Sequence, residues 1–227
     1  MPDRRDTTVA AAQSSHAKLV RAGASSGGAF LVLAALVWVG AGWLVAVDQE
    51  WSSRAYAFML AHPWCEAVSR AATWTASGAV VAAVTTAMVV ICAMGRRWTQ
   101  AWWLAIAVAG SSLVNTLVKT TLEQTRPSTA GIQTSANGFA FPSGHTQAAT
   151  VTYVALVLVV AWQIWAPGRW TRRVSATAVT VLVVAVGLSR VFLGAHWPSD
   201  VLGGWLLGTA WVTTATVVLL IWQRNHE

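Results

Sequence analysis

Charge is what this chain has least of. Lys, Arg, Asp and Glu make up 10% of its 227 residues, against 56% hydrophobic, whereas a soluble globular protein carries about a quarter charged residues. That shortage excludes an ordinary soluble fold. Cysteine is scarcer still. The two present, Cys65 and Cys92, make no disulfide framework, and one helix joining them would hold them roughly 40 Å apart. No CxxC, HExxH or carboxylate cluster occurs. There is accordingly no case for a metal site, and no cofactor is expected.

What the chain does have is apolar residues in blocks. Six blocks, near 29–47, 78–94, 101–118, 148–165, 174–194 and 201–222, reach or nearly reach the roughly 20 residues that cross a bilayer. The second can begin as early as Trp64, because 65–77 carries only Glu66 and Arg70 as charges. Helices satisfy their own backbone groups in lipid. The chain therefore reads as an all-α integral membrane protein with six transmembrane helices. The 15 Trp residues fit that reading, since Trp gathers at membrane interfaces.

The net charge of +7 raises the question of nucleic acid, and the placement of the charges answers it. With the blocks numbered as alternating crossings, Arg4, Arg5, Lys18, Arg21, Arg96, Arg97, Arg169, Arg172, Arg173 and Arg224 fall on one side. Arg54, Arg70, Lys119, Arg126 and Arg190 fall on the other. An excess of this kind marks the cytoplasmic side, so both termini are expected there and the basicity is a topology signal.

Residues 1–28 are polar and rich in Ala, Ser and Gly, and are expected to form a flexible cytoplasmic tail. The membrane domain then covers 29–222, and 223–227 make a short second tail. A signal peptide would need an unusually long leader before the 29–47 block, so this block is taken as a retained first helix. The following stretch, 48–62, places Trp51, Ala55, Phe58 and Met59 at helical spacing. It suits a short interfacial helix and a plain loop equally. The outer connection 119–147 holds Pro127, Gly131, Asn137, Gly138, Pro142 and Gly144, and loops of such length are commonly functional or disordered.

Three polar clusters share that outer face. Lys119 and Arg126 follow the third block, Ser143, Gly144 and His145 open the fourth, and Arg190, His196 and Asp200 lie where the fifth meets the sixth. Each has a bland reading. Lys119 can snorkel to the interface, PSGH can be a turn feeding a helix, and Arg190 with Asp200 can be an isolated ion pair. None of these explains three complementary clusters on one face.

A phosphate ester does. Three cations and one carboxylate leave a charge of about +2 to meet a phosphate of nearly −2. A helix opening at Ser143–Gly144 offers free N–H groups to an anion, and glycine lets the backbone come close. If the sixth helix includes 196–200, His196 and Asp200 stand at i and i+4 on one face. The carboxylate can hold one ring nitrogen and leave the other as an outward lone pair, which is the pattern of an oriented nucleophile. His145 can protonate a departing alkoxide and later take a proton from water. Fixed cations supply the charge stabilisation, and no metal is required.

K-x6-RP at 119–127, PSGH at 142–145 and SR-x5-H-x3-D at 189–200 resemble, in order, the three signature motifs of the type 2 phosphatidic acid phosphatase superfamily. The six-helix layout is similar to its membrane-bound branch. The resemblance implies His196 as the nucleophile that forms phosphohistidine, Asp200 as its orienting group and His145 as general acid and then base. Lys119, Arg126, Ser143, Gly144 and Arg190 would hold the phosphate oxygens. One departure is Gln124, where many members carry a further Arg. The expected activity is hydrolysis of a lipid phosphate at the extracytoplasmic face, on phosphatidic acid, phosphatidylglycerol phosphate or a polyprenyl pyrophosphate. The alternatives are phosphoryl transfer to another acceptor through the same intermediate, and a transporter that binds lipid phosphate or another anion without cleaving it.

Overall fold

The computed structural model describes residues 4–127, 138–160 and 168–225. They form α1 (Arg4–Trp38), α2 (Gly42–Ala61), α3 (Pro63–Thr75), α4 (Gly78–Met94), α5 (Trp98–Leu122), α6 (Gly144–Val157), α7 (Arg169–Phe192) and α8 (Pro198–Arg224). The expected all-helical membrane architecture is what these residues build. Large apolar side chains such as Leu31, Ile106, Leu113 and Val181 stay exposed on the outside of the bundle, which is where lipid would meet them.

The boundaries of the expected spans need correction. Four helices are long and apolar enough to cross a bilayer: α1 from His16 onward, α5, α7 and α8. The pair α3 and α4, bent by 43°, makes a fifth candidate. The apolar stretch through α6, Gly144–Val160, is shorter. The block 29–47 is not one helix. It breaks at Val39–Ala41, where Gly40 takes a positive φ of 62° that suits glycine. The first long helix instead reaches back through the region expected to be a tail, because Gly23 and Gly27 seat α1 on Thr213 and Ala210 of α8. The stretch 48–62 is helix throughout most of its length, within α2. Gly131 and Asn137 of the long loop, the expected end of the fourth span and the start of the connection at 166 lie outside the described residues.

Polar backbone at the α3–α4 bend is accounted for locally. Ser77 caps α4 by accepting the Val80 N–H at 3.4 Å, and Tyr153 of α6 donates its hydroxyl to the Thr75 carbonyl at 2.6 Å. Helix ends buried in an apolar bundle need such partners. Cys65 and Cys92 are both free and buried.

α6 is the inner helix, packed against α4, α5, α7 and α8. Its seam with α8 depends on small residues. A Cβ on Gly204 would lie 2.8 Å from both the Ser143 carbonyl oxygen and Thr146 Cβ, and one on Gly208 would lie 2.8 Å from Thr150 Cβ. Small residues four apart let membrane helices approach closely. Gly204→Ala is therefore expected to destabilise the protein by about 1–3 kcal/mol, seen as a lower thermal midpoint in detergent. Gly28→Ala, where an added Cβ meets nothing within 4 Å, should leave the midpoint unchanged or raised.

Candidate active site

The ends that face one another are the C-termini of α5 and α7 and the N-termini of α6 and α8. They carry Lys119, Arg190, the 143–145 stretch and Asp200, while Arg126 and His196 stand on the adjoining loops. The turn from α7 into α8 is tight. Gly194 has φ 64°, and the N–H groups of Ala195 and His196 both reach the Arg190 carbonyl, at 3.0 and 3.2 Å. This reversal hangs His196 beneath the end of α7 and directly ahead of α8.

His196 is 2% exposed and Asp200 is fully buried. His196 Nδ1 lies 3.1 Å from Asp200 Oδ2, which also accepts the Trp197 N–H at 2.8 Å. Arg126 Nη1 lies 3.2 Å from His196 Nε2. A guanidinium can only donate, so Nε2 is the acceptor and Nδ1 carries the hydrogen given to Asp200. The expected tautomer is present although His196 precedes α8 and is not on its face, as a helix over 196–200 would have required, and the Nε2 lone pair is directed at a cation. Burial first, and then the charges of Arg126, Lys119, Arg190 and His145, hold the His196 imidazole well below its usual range. All of these groups act on one another within a single neighbourhood.

Lys119 and Arg126 are held by backbone carbonyls and Arg190 by a threonine hydroxyl. Lys119 Nζ donates to the carbonyls of Phe139 and Ala140 at 2.8 and 3.0 Å, which holds these two residues at the end of α5. Arg126 donates through Nε to Gly138 O at 2.9 Å and through Nη1 to Ala195 O at 2.7 Å. Arg190 Nη1 donates to Thr73 Oγ1 at 2.8 Å, while its buried Nε has no partner among the described residues. α6 starts at Gly144, so the N–H groups of Gly144, His145 and Thr146 belong to a first helical turn and have no acceptor within the helix. Ser143 is fully buried and its N–H meets the Asp200 carbonyl at 2.9 Å, which ties the second cluster to the third. A Cβ on Gly144 would lie 3.4 Å from Asn115 Oδ1 and 4.0 Å from Lys119 Cε, which ties the second to the first. The sequence-predicted residues therefore converge at one end of the bundle.

The profile of the PAP2 superfamily matches residues 100–225, more than half of the chain. The chain belongs to the PAP2 superfamily. This PAP2 enzyme is a membrane hydrolase of the lipid phosphatase class. Phosphatidylglycerophosphatase B of Bacillus subtilis is 31% identical to it over 183 residues, covering 79% of this chain and 85% of that one. The Escherichia coli protein of the same name is 42% identical over 82 residues, 35% of this chain and 28% of its own. An undecaprenyl-diphosphatase of Sulfolobus acidocaldarius is 34% identical over 79 residues, 35% of this chain and 32% of its own. The crystal structure of a transmembrane PAP2 type phosphatidylglycerolphosphate phosphatase from Bacillus subtilis superposes with a TM-score of 0.76. It is 24% identical and covers 91% of this chain and 98% of that one, which shows a common fold.

Several polar residues of this PAP2 phosphatase escaped the sequence reading. Under the first turn of α6, buried Gln147 donates to the carbonyl and hydroxyl of Ser111 at 3.1 and 3.0 Å and accepts from Asn115. Ser111, Asn115 and Lys119 recur every four residues along α5. That polar stripe in an apolar helix was the available signal. Thr73 on α3 and Asp48 on α2 are different. Their partners, Arg190 and Ser199, are more than a hundred residues away, and no local pattern announces them.

Proposed function

We propose that this enzyme hydrolyses a terminal phosphate ester on a membrane phospholipid, phosphatidylglycerophosphate foremost, through a phosphohistidine on His196 and without a metal ion. The observation that carries the reading is the state of His196. Its Nε2 is unprotonated, backed through Nδ1 by a buried carboxylate and faced by Arg126. Nε2 attacks phosphorus and the bond from phosphorus to the lipid oxygen breaks. His145 gives its proton to the departing alkoxide. Water then attacks the phosphohistidine while His145, now neutral, takes a proton from that water, and the P–N bond breaks to return the lone pair to His196 and release phosphate. Lys119, Arg126, Arg190 and the opening N–H groups of α6, with Ser143 and Gly144, hold the oxygens. Arg190 Nε, buried without a partner among the described residues, has a donor to offer an anion.

A groove of about 390 Å³ between α2, α7 and α8 is lined by Trp51, Leu188, Phe192, Pro198 and Trp205, among others. It lies by the C-terminal end of α7 and the start of α8, the ends that bear Arg190 and Asp200, and suits a hydrocarbon tail. A larger groove of about 620 Å³, lined by Trp98, Trp102, Trp103, Trp211 and Trp222 among others, lies at the far ends of α5 and α8. It is remote from the chemistry. In the bilayer, α6 would complete six crossings as the short one. The catalytic ends would face outward, because Arg96, Arg97, Arg169, Arg172, Arg173 and Arg224 cluster at the opposite helix ends. Both termini would then be cytoplasmic.

The resemblance to an undecaprenyl-diphosphatase supports a second reading, a polyprenyl pyrophosphate substrate. Gln124 stands against it, since its side chain brings no charge to a second phosphate. Phosphate release from phosphatidylglycerophosphate, phosphatidic acid and a polyprenyl pyrophosphate, with and without chelator, decides between them. The first should show the highest kcat/KM, unchanged by chelation. A higher value on the pyrophosphate would favour the second reading, and loss on chelation would overturn the metal-free scheme. Product analysis with added acceptors separates hydrolysis from transfer.

The pH dependence has a fixed sign. His196 must be neutral to attack, and its lowered pKa keeps it neutral as pH falls. The acid limb of kcat/KM, which reports the free enzyme, should therefore lie below the usual imidazole range. An acid limb inside or above the usual imidazole range would contradict the assignment of His196.

A further inference from the structure

Asp48 is a buried carboxylate for which the reaction scheme has no use. It lies on α2, 5% exposed, and points at the start of α8. Its Oδ1 accepts the Ser199 backbone N–H at 2.9 Å and its Oδ2 accepts the Ser199 hydroxyl. Ser199 is itself 3% exposed, stands second in α8 and immediately precedes Asp200. The N–H groups of a helix's first turn have no partner within the helix, and a carboxylate there is favoured by the helix dipole. α8 thus receives one of its capping acceptors from another helix, 151 residues away in sequence.

The consequence reaches His196. Asp200 Oδ2 serves two donors, the Trp197 N–H at 2.8 Å and His196 Nδ1 at 3.1 Å. The place of that oxygen under the imidazole depends on where the first turn of α8 sits. Asp48 fixes that turn at the residue next to Asp200. Building on the assignment of His196 and Asp200 above, we propose that Asp48 is a positioning residue of this phosphatase: through Ser199 it seats the start of α8, and through Asp200 it aims His196 Nε2 at phosphorus. It lies outside residues 100–225, the part matched by the superfamily profile. The amino-terminal helices would then take part in catalysis as well as in enclosing the site.

The test uses the full chain in detergent, with kcat, KM and thermal midpoint measured on phosphatidylglycerophosphate. Asp48→Ala should lower kcat by about ten- to a hundredfold, the scale of a small misplacement in an active site, while KM changes little. Asp48→Asn, whose carbonyl can still accept the Ser199 N–H, should recover most of the loss. Ser199→Ala removes only the hydroxyl bond and should lower kcat by about three- to tenfold. Should Asp48→Ala fail to fold, Asp48→Asn and Ser199→Ala carry the same comparison. The decisive arm is the Asp200→Asn background. If Asp48 acts through Asp200, adding Asp48→Ala there should cost no more than about a further twofold. A full multiplicative loss on that background, a rise in KM at constant kcat, or unchanged kcat in the folded Asp48 and Ser199 variants would overturn the proposal. Failure of the underlying assignment is seen separately, as wild-type turnover in His196→Ala and Asp200→Asn themselves.

Discussion

His196→Ala should abolish turnover, by at least about ten-thousandfold, because no other group can make the bond that splits the reaction into two steps. The wild type, quenched during turnover on a labelled lipid phosphate, should carry acid-labile, base-stable phosphate on protein, and the alanine variant should carry none. The comparison is clean because the substitution removes a buried ring without touching the backbone contacts that seat the turn. The Ala195 and His196 N–H groups would still reach Arg190, and Arg126 would still reach the Ala195 carbonyl. Arg126 loses only its contact to Nε2, so substrate binding should survive better than turnover. Wild-type turnover in the variant would refute the nucleophile. Lipid movement that persists without hydrolysis in both the His196→Ala and His145→Ala variants would support a transporter instead.

The candidate cluster was legible because charge is rare here. In a chain with 10% charged residues, Lys119, Arg126, Arg190 and Asp200 stand out from their surroundings, and block parity alone put them on one face. The pairing of His196 with Asp200 was expected from a helix covering 196–200, but α8 starts only at Pro198, and the turn after α7 is what brings the ring to the carboxylate. What failed were boundaries inside uniformly apolar or small-residue sequence. The run from 37 to 47, VWVGAGWLVAV, has the hydropathy of one span, and only backbone geometry at Gly40 reveals the turn. Residues 16–28 look polar and glycine-rich. They are helical because Gly23 and Gly27 let α1 press against α8, a tertiary contact that overrides propensity. α6 has a span's composition but a shorter described helix. Asp48 and Thr73 show the same limit at the site itself. Their residue types were visible, yet the bonds that give them meaning cross the whole chain.

His145→Ala makes the second large prediction, and it discriminates between steps. In the proposed scheme His145 is general acid and then base and serves both halves of the reaction, and such groups contribute about a hundred- to ten-thousandfold. The loss on a lipid phosphate should fall in that range, with the first step slowed because a lipid alkoxide is a poor leaving group that needs a proton. An aryl phosphate leaves without one. On p-nitrophenyl phosphate the His145→Ala variant should release about one nitrophenol per active site in a burst and then stall, because water still lacks its base in the second step. Phosphoprotein should accumulate in that stalled state, and the double variant His145→Ala, His196→Ala should show neither burst nor label. The residue's place explains the double duty. It follows Gly144 in the first turn of α6, half-buried, where it acts electrostatically on His196 and where the helix N-terminus would hold the phosphate between the two rings. Equal losses on lipid and aryl substrates, with no burst, would show that His145 binds phosphate and moves no proton.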